Sequence, residues 1–294
     1  MQLTTLPSRI SYDTTTIESP LGKKIHLPRR ELFDIRQQLM AEDDESTLAS
    51  IDSSDLRTGI YEGGFKTWEC SIDLSSLLLD RGPRKDIDEL ARVDRVIELG
   101  AGSALPSLVL FQHAIQNAYP VHFTLADYNE AVLRLVTLPN LLLTHARYGL
   151  SPVLLSEKAG DLEITPVLID SFLKTLADTG VSLSFLSGPW GPDLLKLISE
   201  GGNEQGTVVL AAETIYSPDS TAAFVELVVE ILKRTKMAKA IVAAKRIYFG
   251  VGGSVDGLKE ACNERGAVAY EVENSGVKGM DQGVGRALLE IQMY

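Results

Sequence analysis

From Val93 onward, short apolar runs alternate with segments whose apolar residues recur every three to four positions. RVIEL, VHFTLAD, VSLSFLSG, TVVLAAE, KAIVAAK and RALLEIQM are bounded by turn-forming residues and read as strands. LPSLVLFQHAIQNA and TAAFVELVVEILKR have helical length and an apolar face, the second following a cap at Ser217 to Asp219. Strand and helix in repeated alternation predict an α/β fold, a mostly parallel, doubly wound sheet covered on both faces. A helix over roughly Val255 to Arg265 and a glycine-rich loop from Asn274 to Gly285 separate the last two runs. RALLEIQM is therefore expected to enter antiparallel, as an edge.

Residues 1–55 break this rhythm. They are rich in Ser, Thr, Asp and Glu, are interrupted by Pro7, Pro20 and Pro28, and hold one periodic segment, RRELFDIRQQLMAEDD, with Leu32, Ile35 and Leu39 on one face. They read as an extension, extended or partly disordered with one short helix, ahead of a domain spanning 56–294.

At 294 residues and 45% hydrophobic, the chain can bury a sizeable core. No apolar run approaches the roughly 18 residues of a membrane span, and Met1 to Pro20 lacks a secretory h-region, so the expected setting is the cytoplasm, with the nucleus as a second compartment. Cys70 and Cys262 form no C-x-x-C pattern, and the four histidines lack ligand spacing, so neither a disulfide framework nor a metal site is expected. Twenty-eight basic against forty acidic side chains leave a formal charge of −12. That balance repels nucleic acid and membrane surfaces and suits a basic protein partner; the oligomeric state stays open.

The candidate chemistry begins at VIELGAGSALP. Glu98 ends the first strand, Gly100 and Gly102 follow, and Ala104 and Leu105 break the spacing of a dinucleotide fingerprint. The next strand, VHFTLAD, closes on Asp127, followed by Tyr128 and Asn129. Asp127 is placed to accept ribose hydroxyls, and Asp127 or Asn129 could equally cap the next helix. A carboxylate before a glycine loop and a second one closing the next strand resemble the seven-β-strand S-adenosylmethionine-dependent methyltransferases. The resemblance implies a Rossmann-like fold with an antiparallel last strand, a loop lying against the methionine part of the cofactor, and Asp127 holding its ribose.

Four further stretches, YEGGFKTWECSIDL, SGPWGPDL, AAETIY and AAKRIYFGVGG, span Tyr61 to the C-terminal region. Together they closely resemble the protein-histidine N-methyltransferases whose family substrate is a large-subunit ribosomal protein. The resemblance places Trp68, Glu69 and Cys70 along the cofactor pocket and Gly188, Pro189 and Trp190 around adenine, beside Ala212. Pro189 stands where the family has an acidic residue, and Asp193 is the nearest carboxylate that could replace it. E-x-x-Y at Glu213 to Tyr216 matches a motif kept beside the acceptor nitrogen, although Glu213 could also serve the N-terminus of the following helix.

The implied reaction is direct attack of an imidazole nitrogen on the cofactor methyl. A reference pKa near 6.5 leaves roughly three-quarters of histidine neutral at pH 7, whereas a lysine near 10.4 needs about 4.6 kcal/mol to lose its proton. Catalysis then rests on positioning and tautomer choice, with Glu213 holding the N–H of the other nitrogen and Tyr216 shaping the pocket. The E-x-x-Y motif also permits a protein-lysine methyltransferase, and the departure at Pro189 permits a non-catalytic cofactor-binding adaptor for a ribosomal protein. A nucleic-acid methyltransferase fits neither the charge nor the absence of an N/D-P-P-Y/F motif.

Overall fold

The computed structural model describes residues 3–52, 64–80, 93–150, 155–198, 206–272 and 277–294. The 55/56 boundary, Tyr61 to Gly63 and Asn274 to Gly276 lie outside the described residues.

Seven strands form the main sheet: β3 (Val93–Leu99), β4 (His122–Asp127), β6 (Ser182–Ser187), β7 (Gly206–Ala212), β8 (Ala238–Lys245), β9 (Ala267–Glu271) and β10 (Arg286–Met293), in the order β6-β4-β3-β7-β8-β10-β9. The first five are mutually parallel, and β10 runs antiparallel to both its neighbours. One expectation is corrected: RALLEIQM is antiparallel but internal, because β9 lies outside it. With burial pattern Beiee, AVAYE offers no apolar alternation to reveal a strand.

The central strands are buried on both faces, and their side chains divide by parity. Val96, Val208 and Leu210 pack with Cys70 and Leu74 of α3 (Glu69–Asp80) and with Leu105, Leu108 and Phe111 of α4 (Leu105–Asn117). Ile97, Leu99, Val209 and Ala211 pack with Phe224, Val228 and Ile231 of α8 (Pro218–Lys233). After β4 the chain is helical over Glu130–Val132, widens into a π-turn over Leu133–Thr137 and continues as α5 (Leu138–His145). Helices α6 (Pro166–Thr179), α7 (Pro192–Leu197) and α9 (Val255–Glu264) connect the remaining strands.

The N-terminal segment is more ordered than its composition suggests. β1 (Arg9–Glu18) and β2 (Lys24–Arg30) form a hairpin, β1 also pairs with β5 (Ala159–Glu163), and α1 (Leu32–Ala41) and α2 (Glu45–Asp52) follow. Ile10, Tyr12, Ile17, Ile25 and Leu27 join the main core, so 9–30 is a structural part of the body and not a disordered extension. Polar Thr14, Thr15 and Thr16 interrupt the alternation in β1, and Pro28 sits on edge strand β2, where its missing N–H is tolerated.

Candidate active site

The turn from β3 into α4 contains three left-handed residues, Gly100 (φ 69°), Gly102 (φ 51°) and Ala104 (φ 58°). A Cβ on Gly100 would lie 3.0 Å from Thr214 Cγ2, and one on Gly102 would lie 3.3 Å from the Gly64 carbonyl, so both glycines answer crowding as well as conformation. The loop is held from three sides. The Ala101 amide donates to Ala126 O (2.9 Å), Thr137 Oγ1 donates to Gly102 O (2.7 Å), and Asn140 Nδ2 donates to Ser103 O (3.0 Å).

Asp127 ends β4 fully buried. It accepts the Gly102 amide on Oδ2 (3.0 Å) and the Asn129 amide on Oδ1 (3.1 Å), and burial pushes its carboxyl up to about 6. Its carboxylate thus ties the glycine loop to the β4 terminus. Asn129 caps the helix by accepting the Ala131 amide at 2.9 Å, and Tyr128 projects into solvent. Glu98 accepts the Ser107 amide in the first turn of α4 at 3.0 Å, and burial pushes it up to about 8.

Above the loop is a cleft enclosing about 680 Å³ of space, open mouth included. Of the residues singled out from sequence, Trp68, Glu98, Gly100, Gly102, Trp190, Ala212, Glu213 and Tyr216 line it. Glu69, Cys70, Asp127, Tyr128, Asn129, Gly188 and Pro189 lie outside that lining. Glu69 turns outward to Arg286 (3.3 Å), Cys70 is buried in α3, Gly188 donates to Asp127 O (3.2 Å), and Pro189 is exposed. Trp190 meets Phe224 edge-on at 5.6 Å. Asp193 pairs with Lys196 in solvent.

Glu213, one residue beyond β7, also adopts a left-handed backbone (φ 57°) while its amide donates to Ala243 O at 2.9 Å. Its carboxylate is 6% exposed, with Oε2 3.1 Å from Lys245 Nζ. Oε1 is buried without a hydrogen-bond partner among the described residues. The Cys70 thiol and the Tyr248 hydroxyl, both raised first by burial, are raised further by the Glu213 carboxylate beside them. The following helix is capped by a reciprocal Ser217–Ser220 box, so Glu213 is not needed there.

Lys245 and Tyr248 were not foreseen from sequence. The ammonium lies over the Trp68 ring at 5.2 Å and the Tyr248 ring at 5.9 Å. Register explains the encounter: Ala212 pairs with Ala243, so the ends of β7 and β8 meet although more than thirty residues separate Glu213 from Lys245. Gly253 then clamps the two loops. Its amide donates to Tyr216 O (3.0 Å), its carbonyl accepts the Tyr248 amide (2.8 Å), and a Cβ there would fall 2.0 Å from Ile215 O.

No family model matches the chain. Among curated proteins, the chain is 39% identical over 264 residues to Histidine protein methyltransferase 1 of Saccharomyces cerevisiae, covering 81% of this chain and 68% of that protein. It is 38% identical over 293 residues to the Schizosaccharomyces pombe protein of the same name, covering 97% and 80%. A Rattus norvegicus homologue is 30% identical over 242 residues, covering 81% and 59%.

Proposed function

The chain belongs to the histidine protein methyltransferase family, and from that premise we propose that it methylates one histidine of a basic, large-subunit ribosomal protein, with Glu213 positioning the imidazole. The methyl donor is S-adenosylmethionine. The cleft suits it: Gly100 leaves free the space that a Cβ would take, and Trp190 Cζ2 stands 3.9 Å from that point. When bound, the cofactor supplies an electrophilic methyl on a positively charged sulfur. The aromatic rings of Trp68 and Trp190 line the same cleft, and an aromatic face suits a cation.

The observation that carries the assignment of Glu213 is its Oε1, buried with no hydrogen-bond partner among the described residues. A buried acceptor without a donor costs about 1–3 kcal/mol, and a substrate imidazole N–H entering the cleft would relieve that cost. With one nitrogen's proton held by Glu213, the other presents its lone pair, and the carboxylate then offsets the charge that develops on the ring. Tyr216, half-buried in the cleft wall, shapes the acceptor side. The acidic net charge of −12 favours a basic protein as the partner.

The test is to incubate the protein and labelled S-adenosylmethionine with large-subunit ribosomal proteins from cells lacking the enzyme, and to map the product by mass spectrometry. A single methyl on one histidine is expected, with a rate that climbs with pH around 6.5 and flattens above roughly pH 7.5. Label on lysine alone, or on no ribosomal protein, overturns the reading.

A further inference from the structure

A carboxylate flanked by two aromatic rings is the composition of a site that captures ammonium groups. Glu213, Trp68 and Tyr248 line the cleft, and the chain's own Lys245, which lines the neighbouring pocket with Glu69, Asp73, Lys278 and Arg286, sets its ammonium against all three from behind the cleft wall. Resting on the assignment of this cleft to the acceptor histidine, we propose that Lys245 determines specificity: it is an internal cation that excludes lysine acceptors and keeps the acceptor imidazole neutral.

Two ammonium groups sharing one carboxylate at contact distance repel strongly in a partly dry site, while a neutral imidazole meets no such penalty. The pairing acts on the imidazole as well. An unpaired buried Glu213 would draw imidazole toward imidazolium, which has no lone pair to donate; paired with Lys245, the carboxylate pulls less strongly on a proton in the ground state while its Oε1 still accepts the imidazole N–H.

Among the described residues, Lys245 is the cation paired with Glu213. Of the groups facing Glu213, Cys70 and Asp73 come from α3, and Asp73 is compensated by Arg286 of β10 at 2.5 Å. Tyr248 contributes a hydroxyl held un-ionised by burial. Lys66, Glu98 and Tyr216 are the other titratable groups in the cleft lining.

The experiment compares the full chain with Lys245→Met and Lys245→Arg. Total ribosomal protein from cells lacking the enzyme is labelled with S-adenosylmethionine, hydrolysed, and its methylhistidine and methyl-lysine are separated. Wild type and Lys245→Arg are expected to give methylhistidine alone. Lys245→Met is expected to raise the methyl-lysine fraction at least tenfold, and to move the acid limb of its histidine activity up by about one pH unit.

A second measurement needs no turnover: ligand-observed NMR with n-butylammonium and 4-methylimidazole as side-chain probes. Lys245→Met, or Lys245→Gln if the first variant does not fold, is expected to gain at least tenfold affinity for n-butylammonium, and Lys245→Arg none. Selectivity unchanged in both neutral variants, or an arginine variant that behaves like them, overturns the proposal. Wild type that methylates lysine overturns the histidine reading itself, a result readable before any variant is made.

Discussion

Two carboxyls in the cleft wall are buried for different ends, and their substitution separates them. Glu213 keeps one oxygen on Lys245 and leaves the other without a donor among the described residues. Glu213→Gln should bind S-adenosylmethionine within about threefold of wild type yet slow single-turnover transfer roughly 10²–10⁴-fold, the range expected when charge stabilisation and tautomer selection are lost. A variant with near-normal turnover would remove Glu213 from the chemistry. Glu98, by contrast, is raised to about 8 in the folded state from an ordinary value of 4.5. The folded protein therefore binds more protons here than the unfolded chain does, and stability falls as pH rises from about 4.5 through 8. Asp127, raised to about 6, adds a decline of the same sign at lower pH. Glu98→Gln can still accept the Ser107 amide and has nothing to ionise, so its melting temperature should rise relative to wild type between pH 5 and pH 8. The gain should reach a few kcal/mol at the alkaline end. Parallel melting curves for the two proteins across that interval would show that Glu98 does not carry the shift.

At the scale of the element, the loop after β8 is rigid where its glycines suggest freedom. Gly253 has its backbone against Ile215 and Tyr216, whereas Gly250 (φ 82°) faces open space. Gly253→Ala should cost about 3 kcal/mol or more and disturb Tyr216 and Glu213; Gly250→Ala should cost roughly 1 kcal/mol through its backbone alone. Chemical denaturation of both variants checks the contrast, and equal losses would mean that the clamp does not exist. The same loop shows what sequence reveals of this site. The strand-end positions of Gly100, Gly102, Asp127 and Glu213 follow from local pattern, as do the strands that carry them. The meeting of Lys245 with Glu213 depends on strand order and register, which no local window contains. Thr137 and Asn140 reach the glycine loop from a helix interrupted by a π-turn, where helical periodicity does not show which face is presented. The N-terminal hairpin and β9 stayed hidden for a different reason, since their threonines, proline and exposed polar positions dilute the alternation that betrays a strand.

Across the whole molecule, one side chain joins the N-terminal sheet to the glycine loop. Asn140 Oδ1 accepts the Arg30 amide at 2.8 Å while its Nδ2 holds Ser103 O. Asn140→Ala leaves two buried backbone groups unpaired and should cost about 2–3 kcal/mol. It should also weaken cofactor binding several-fold, measured by calorimetry, whereas Asp13→Asn, at the half-exposed pair with Arg29 on the same hairpin, should change neither by much. A lower melting temperature with unaltered cofactor affinity would confine this bridge to folding. The sheet order carries a different consequence. Among the described strands β9 bonds only to β10, which follows it in the chain and must slip between β9 and β8. Synthesis therefore makes β9 before the strand that receives it, and Ala267 to Glu271 can join the sheet only with Arg286 to Met293 in place. A premature stop between the two strands would leave a chain that keeps every cleft-lining residue and lacks the strand that joins β9 to the sheet, with β8 an open edge prone to misassembly.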